Sequence, residues 1–377
     1  MMKRIRGHIL TISGFVEGEL AWDSTGRLVL VEGRSVDESE VRAASLPIVL
    51  PGFVDLHVHG GGGRDMMEGG DAALCVASLH ARHGTTSLLG TTMTAPFGDL
   101  ELAFAGMAGA CTQRPPGCAR LLGVHLEGPY ISDEKLGAQP NFARPVQMME
   151  LQRLNALAPI RLITLAPEVP GNLDVIESLT DAGYRVQIGH TLANYEEAVL
   201  AMSKGATGFT HLFNAMTGLH HRDPGAVGAA LAHAEFAEII PDLVHVHPGA
   251  IRVALRSIPN LYCVTDSTAA AGMPDGEYRL GRQVVTKCLG GVRLADGTLA
   301  GSTLTMDQAF LNLVNSLGLT MTDASRRVST NAADFVGATD RGRLQAGAWA
   351  DVVVLNRDLQ LTDVYVEGNS IEYAHAG

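Results

Sequence analysis

No stretch of this sequence approaches the roughly 18 consecutive apolar residues of a membrane-spanning helix, so no such helix is expected. No run of Lys or Arg occurs in it, which denies it the electrostatic footprint of a nucleic-acid or anionic-membrane binder. The charge balance points the same way, because 28 basic against 40 acidic residues leave a formal charge of −12. Charged residues make up only 18% of the chain against 46% hydrophobic, with a mean hydropathy of +0.13. A disordered chain would show the reverse. The segment MMKRIRGHILTISGF carries basic residues without an apolar core or a small-residue cleavage site, so no signal peptide is expected. The five cysteines, Cys75, Cys111, Cys118, Cys263 and Cys288, are odd in number and lack C-x-x-C spacing. Reduced thiols in a cytoplasmic globular protein are the expectation.

What is present is a rhythm. At 377 residues the chain has room for two or three ordinary domains, or for one large barrel with a smaller module. Eight short apolar runs, IVLPGFVDL, TSLLGTT, LLGVHLE, IRLITLAPE, RVQIGH, TGFTH, LVHVH and YCVTD, alternate with amphipathic stretches such as DAALCVASLHARHG and NYEEAVLAMSKG. Strands alternating with helices predict a parallel sheet, and eight repeats predict a TIM-like (β/α)₈ barrel over 51–339. A doubly wound open sheet is the competitor, but it would carry a Gly-rich phosphate turn after its first strand. Here Gly60–Gly63 follow a His-x-His. Both ends of the chain hold short β-rich runs separated by turn residues (HILTISGF and GRLVLVEG, then ADVVVLN and LTDVYVEGN). They predict a small discontinuous β-sandwich module built from 1–50 plus 340–377.

The polar residues fall at the ends of the predicted strands: His57 and His59, Glu127, His190, His211 and Asp266. In a barrel these positions converge on the C-terminal mouth, where active sites are built. Imidazole and carboxylate are ligands for Zn²⁺ and similar ions, and His57 and His59, two apart on a strand, point to one face. Any one of these residues alone would be read as a hydrogen-bonded structural group; it is their joint placement that argues for a metal centre. His80, His83 and His233 lie in helix-like stretches and are read as packing or surface residues. His125 shares the strand face of Glu127, and a supporting role behind the ligands and a plain structural one both stay open.

The segments PGFVDLHVHGGGG, GVHLEGPYIS, IGHT, THLFNAM followed by HRDPG, LVHVHPGAIR, VTDSTAAAGMPDGEY and GSTLTM together resemble the N-acetylglucosamine-6-phosphate deacetylases, a branch of the amidohydrolase superfamily. The resemblance runs over nearly the whole chain. It implies metal ligation by Glu127, His190 and His211, and a second ion on His57 and His59, a pair that only some members carry. One or two divalent ions per subunit follow, with Zn expected and Fe, Mn or Co as alternatives. It further implies Asp266 as the acid/base. Asn214, Ala215 and Arg222 fall where the family holds the sugar phosphate, His245 where it touches substrate, and Leu299, Ala300 and Gly301 on a substrate-side loop. A homodimer is implied by the family alone. In one place the chain departs from the pattern: where the family has Gly-Ala-His, this sequence reads Gly137-Ala138-Gln139, which exchanges a substrate-touching imidazole for a neutral amide.

The function expected is hydrolysis of the acetamide of an N-acetylhexosamine 6-phosphate, with N-acetylglucosamine 6-phosphate as the substrate. N-acetylgalactosamine 6-phosphate and N-acyl amino acids are the alternatives. Arg222, which without the family would be read as half of a surface ion pair with Asp223, favours a phosphorylated sugar. A barrel recruited only for binding would be expected to lose its ligands or its acid, and all are in place. No nucleic-acid or membrane partner is expected.

Overall fold

The computed structural model describes residues 2–372; Met1 and the last five residues of the expected 340–377 segment lie outside the described residues. The chain forms an α/β fold around a curled parallel sheet. Its six strands run in sequence order: Phe53–Val58, Thr85–Thr91, Arg120–Glu127, Ile160–Leu165, Arg185–Ile188 and Gly208–Phe209. Strands such as Phe53–Val58 and Thr85–Thr91 are buried along their whole length. That is the burial expected of parallel strands covered by helices on one side and by packed side chains on the other. The two stretches singled out as amphipathic are the helices Ala72–Arg82 and Tyr195–Ser203. The second starts at a capping box in which Asn194 and Glu197 satisfy each other's backbone N–H groups, so its boundary is written locally in Asn-Tyr-Glu-Glu.

A second parallel pair, Glu238–Ile239 with Tyr262–Cys263, continues the curl. Leu212 N donates to Glu238 O at 2.9 Å on one side, and Asp266 N donates to His57 O at 2.9 Å on the other. One of the eight expected strands is therefore displaced. LVHVH, whose alternation looked like a strand, is a loop in which Leu243 takes a positive φ of 66°. The Asp242 carboxylate there accepts from the backbone of Val244 and His245. The strand is instead the short Glu238–Ile239, within FAEII. A three-stranded antiparallel sheet of Gly276–Leu280, Gln283–Cys288 and Gly291–Arg293 lies outside the repeating pattern and overhangs one end of the parallel sheet.

Both chain ends meet in one seven-stranded sheet, ordered Asn369–Ser370, Leu361–Val366, Val352–Leu355, Ile48–Pro51, Lys3–Thr11, Gly14–Trp22 and Leu28–Ser35. The run IVLPGFVDL is thus divided between two sheets, Ile48–Pro51 in this one and Phe53–Val58 in the other. The seven-stranded sheet folds over on itself. Trp22 meets Tyr365 edge-on at 5.1 Å, although three strands separate theirs in the sheet order, and the indole N–H donates to Gly368 O. Ile9, Leu20, Trp22, Leu28, Val352 and Leu344 make a core of their own inside the fold.

This sheet is joined to the parallel one by buried charge. Val366 pairs with Asn369 across a two-residue turn, Glu367-Gly368, with both φ angles positive (50° and 73°). Such a turn favours Asn-Gly, and a Glu there carries strain. The strain is offset because the Glu367 carboxylate accepts from Arg114, Arg120 and Arg341 at 2.5–3.1 Å. Arg341 also pairs with Asp351 at 2.6 Å. Although partial burial pushes the Glu367 carboxyl up, the hydrogen bonds from Arg120 and Arg341 outweigh it and hold the group down at about 2. Glu367→Gln leaves three arginines short of their counter-charge and is expected to cost about 3 kcal/mol, read as a lower urea midpoint. The folded pKa lies below the unfolded value, so this contribution is complete above the ordinary Glu range and fades as pH falls from there toward about 2. The gap between wild type and variant should therefore shrink with acidification.

Candidate metal centre and cleft

The side chains that close the parallel strands converge on one point. Glu127 is the last residue of its strand; His57 and His59 sit at the end of the first strand, and His190 and His211 two residues past theirs. Turning a side chain across the mouth so soon after a strand requires unusual backbone. Of nine non-glycine residues with positive φ among the described residues, five belong here: His190, His211, Phe213, Ala215 and Asp266. Such strain, about 1–3 kcal/mol each, concentrates at functional sites. Gly301 (φ 64°) serves the same end differently, because a Cβ there would lie 2.8 Å from the Asp266 carbonyl oxygen.

Glu127 stands in the middle. Its Oε1 lies 3.1 Å from both His190 Nε2 and His211 Nε2. Its Oε2 lies 3.1 Å from His59 Nε2 and 3.4 Å from His57 Nε2. The two Nε2 atoms in each half are 3.1–3.2 Å apart. Asp266 Oδ1 joins the half of His57 and His59, at 3.5 and 3.3 Å. Ligands about 2.0–2.1 Å from a tetrahedral Zn²⁺ are roughly 3.3–3.4 Å from one another, so each half has the spacing of a coordination shell.

The hydrogen bonds on the far side of the rings support that fit. His190 Nδ1 donates to Lys135 O at 2.7 Å and His57 Nδ1 donates to the Glu238 carboxylate at 3.0 Å. Each ring's Nε2 lone pair is thereby aimed at the cluster. Lone pairs converging on a carboxylate repel unless a cation lies among them, so the donor set is that of a divalent metal centre. All of these groups are buried. Without a metal, protons must do the cation's work. Burial opposes charge on His57, but Glu127, Asp266 and Glu238 together hold its pKa well above the imidazole range; the same contest puts His59 at about 9. Burial would raise the Glu127 carboxyl, yet the charge on His57 and bonds from His190 and His211 hold it well below its ordinary value. Asp266 is likewise lowered, burial being outweighed by His57 and His59.

A cleft of about 320 Å³ opens over this cluster. It is lined by His59, Glu127, His190, His211 and Asp266, and by the expected Ala138, Gln139, Asn214, Ala215, His245, Leu299 and Gly301. Two of the expected substrate-contacting residues stand apart from that lining. Arg222 is exposed and bonds to His221 Nε2 at 2.8 Å, and Ala300 is wholly buried among Met93, Ala270 and Leu280. Gln139 lines the cleft while its amide is occupied: Nε2 donates to Glu127 Oε2 at 2.7 Å, and Oε1 accepts from Thr94 N at 2.6 Å. His245 donates from Nδ1 to Asp242 at 2.6 Å and leaves a buried Nε2 without a partner. Burial lowers its basicity, but the Asp242 bond wins and raises it. Six lining residues, Met93, Glu134, Lys135, Gly137, Leu280 and Thr298, were not anticipated as site residues.

His125 stands behind the ligands, with Nδ1 on Leu56 O and Nε2 on Thr164 Oγ1. His80 is a packing residue bonded to Gly60 O and Ser267, and His83 and His233 make side-chain bonds to Asp307 and Tyr195. Glu238 went unremarked in the sequence. The one signal for it was a lone acid inside the apolar run FAEII.

The chain belongs to the amidohydrolase family, whose model matches residues 48–371. Within that family it is 36% identical over 364 residues to the N-acetylglucosamine-6-phosphate deacetylase of Lysinibacillus sphaericus, covering 94% of this chain and 93% of that one. It is 37% identical over 367 residues to the N-acetylgalactosamine-6-phosphate deacetylase of Escherichia coli O157:H7, covering 96% of each. Among solved structures, the N-acetylglucosamine-6-phosphate deacetylase of Thermotoga maritima superposes with a TM-score of 0.90 at 32% identity over 99% of this chain and 100% of that one. A mutant of the Mycobacterium smegmatis enzyme in complex with N-acetyl-D-glucosamine 6-phosphate gives 0.90 at 33% identity, again over 99% and 100%.

If Glu127 serves both halves, Glu127→Ala should abolish nearly all metal binding, whereas His190→Ala should remove only the ion shared with His211. Elemental analysis of dialysed protein checks this, and full metal content in either variant would overturn the assignment.

Proposed function

We propose that this protein hydrolyses the acetamide of N-acetyl-D-glucosamine 6-phosphate to D-glucosamine 6-phosphate and acetate. The observation that carries the reading is the Glu127-centred cluster of four imidazoles with Asp266 at its edge, opening into a cleft of sugar size. The deacetylase relatives supply the substrate. Glu127, His190 and His211 hold one divalent ion, and Glu127, His57 and His59 a second. Zn²⁺ suits the imidazole and carboxylate donors, with Fe, Mn or Co as alternatives. A divalent ion held there polarises the acetyl carbonyl and makes the attacking water acidic.

The rest is done by the chain. Asp266 accepts the proton of the attacking water and returns it to the departing amine, one carboxylate used twice. An aspartate is ionised at neutral pH and so is ready to accept. The unpartnered Nε2 of His245, whose other nitrogen is fixed on Asp242, is placed to bond the sugar. Asn214, Ala215 and Arg222 take the phosphate end, Arg222 by reaching over from its exposed loop. Ala138, Leu299, Ala300 and Gly301 form the walls of the sugar pocket, Ala300 through its backbone. Gln139 stands where the family's histidine touches substrate, and its bond to Glu127 means that it orients the carboxylate as well.

The architecture belongs to the same proposal. A (β/α)₈ barrel over 51–339 is supported by the hydrogen bonds that link Glu238–Ile239 to the strand before it and Asp266 to His57. A sandwich module from 1–50 plus 340–377 is supported by the overfolding of the seven-stranded sheet. The five free cysteines support a cytoplasmic location, and among the described residues no helix is long and apolar enough to cross a membrane. A homodimer rests on the family resemblance.

Acetate release from N-acetylglucosamine 6-phosphate is the direct test, with the galactose epimer, the unphosphorylated sugar and N-acyl amino acids alongside. The galactose epimer is the second reading, favoured by the Escherichia coli relative. Asp266→Asn is expected to lower kcat by about 10²–10⁴-fold with the thermal midpoint unchanged; retention of a tenth of the activity would place the proton elsewhere.

A further inference from the structure

Below the metal cluster, on the side away from the cleft, lies a buried carboxylate to which the catalytic reading gives no task. Glu238 is wholly inaccessible to solvent, and isolated burial of a carboxylate is costly. Its contacts offset that cost and touch both halves of the centre. Oε2 accepts from His57 Nδ1 at 3.0 Å and from the backbone N–H of His211 at 3.1 Å. Oε1 accepts from Tyr262 Oη at 3.4 Å.

Beyond Tyr262 a chain of hydrogen bonds crosses the interior of the sheet. Gln187 Nε2 donates to Tyr262 Oη at 2.6 Å, and Thr210 Oγ1 donates to Gln187 Oε1 at 3.1 Å. Thr210 and Thr164 are 2.7 Å apart, and Thr164 lies 2.7 Å from His125 Nε2. His125 Nδ1 ends the chain on Leu56 O at 3.1 Å.

The directions at both ends of this chain follow from the groups that close it. A carbonyl only accepts, so His125 donates from Nδ1 and must accept at Nε2. Thr164 therefore gives its single proton to His125, and Thr210 gives its own to Gln187 Oε1. The Gln187 amide donates to the Tyr262 oxygen, which leaves the phenolic proton for Glu238 Oε1. Oε2 is left for the two remaining donors, His57 Nδ1–H and His211 N–H. A His57 ring protonated on Nδ1 turns an Nε2 lone pair toward Glu127 and Asp266, as a ligand must.

We propose that Glu238 is the positioning residue of the metal centre: it fixes the tautomer and raises the basicity of His57, and it anchors the backbone that carries His211. This rests on the reading of His57 and His59 as ligands of a second ion. Glu238 touches no substrate and moves no proton in the reaction. Its effect is on how tightly the second ion is held.

The test is a competition titration of the metal-free, full-length protein with Zn²⁺ against a chromophoric chelator. Wild type is expected to take up two ions. Glu238→Gln keeps the shape and an acceptor for both N–H groups but removes the charge. It should bind the first ion as wild type does and the second about 10–100-fold more weakly. The loss should be confined to the second ion, whereas a merely structural role would weaken both. Two ions bound with wild-type affinities in Glu238→Gln would overturn the proposal while leaving the ligand assignment intact. A wild type that takes up only one ion would overturn the assignment of His57 and His59, and the proposal with it. Independently of how the variant folds, ¹⁵N-histidine NMR of the zinc-loaded wild type should show His57 protonated on Nδ1. An Nε2–H form would overturn the proposal.

Discussion

Everything at the mouth of this protein answers to one constraint, that four imidazoles and two carboxylates must meet within a few ångströms around Glu127. The groups come from five strand ends, and three of them, His190, His211 and Asp266, are aimed by a backbone at positive φ. A curled parallel sheet meets the demand because its strands all end on one side, and their last residues converge as the curl tightens. The fully buried strands beneath supply the rigidity that keeps five positive-φ residues from relaxing. The strand Arg120–Glu127 shows the division of labour most directly. Its last residue is the central carboxylate, and its first is one of the arginines that tie the barrel-like sheet to the seven-stranded one.

Much of this was legible in the sequence because the relevant signals are short-range. His57-Val58-His59 announces two side chains on one strand face, and Glu127, His190, His211 and Asp266 each close a recognisable apolar run. Helices such as Tyr195–Ser203 carry their own start signal. The failures were of another kind. LVHVH alternates as a strand does, yet Asp242 captures its backbone N–H groups and Leu243 turns left-handed, so the true strand is the two-residue stretch at Glu238. Nothing local distinguishes the two, because the choice is made by pairing with Tyr262–Cys263, on the far side of the next helix. Glu238 was missed for the same reason: its value depends on His57, 181 residues away in sequence.

The one departure from the family pattern also takes on a physical meaning. A glutamine has a donor and an acceptor on one rigid amide, and Gln139 uses both, bridging Thr94 N and Glu127 Oε2. A neutral imidazole could make the same two contacts only with its two nitrogens, which lie in a different geometry. The substitution thus bears on how the central carboxylate is held as much as on how a sugar is seated.

The layout of the seven-stranded sheet governs how the chain can be assembled. Ile48–Pro51 is paired on one side with Lys3–Thr11 and on the other with Val352–Leu355, and the Glu367 turn that bolts this sheet to Arg120 comes later still. During synthesis the first three strands can form a hairpin meander, but their sheet stays open at one edge until the ribosome has made almost all of the rest. The central sheet must therefore fold without its clamp, and an unfinished edge is exposed for most of translation. A chain stopped short of residue 352 would contain every metal ligand and the acid. It would still lack the clamp that joins its two sheets.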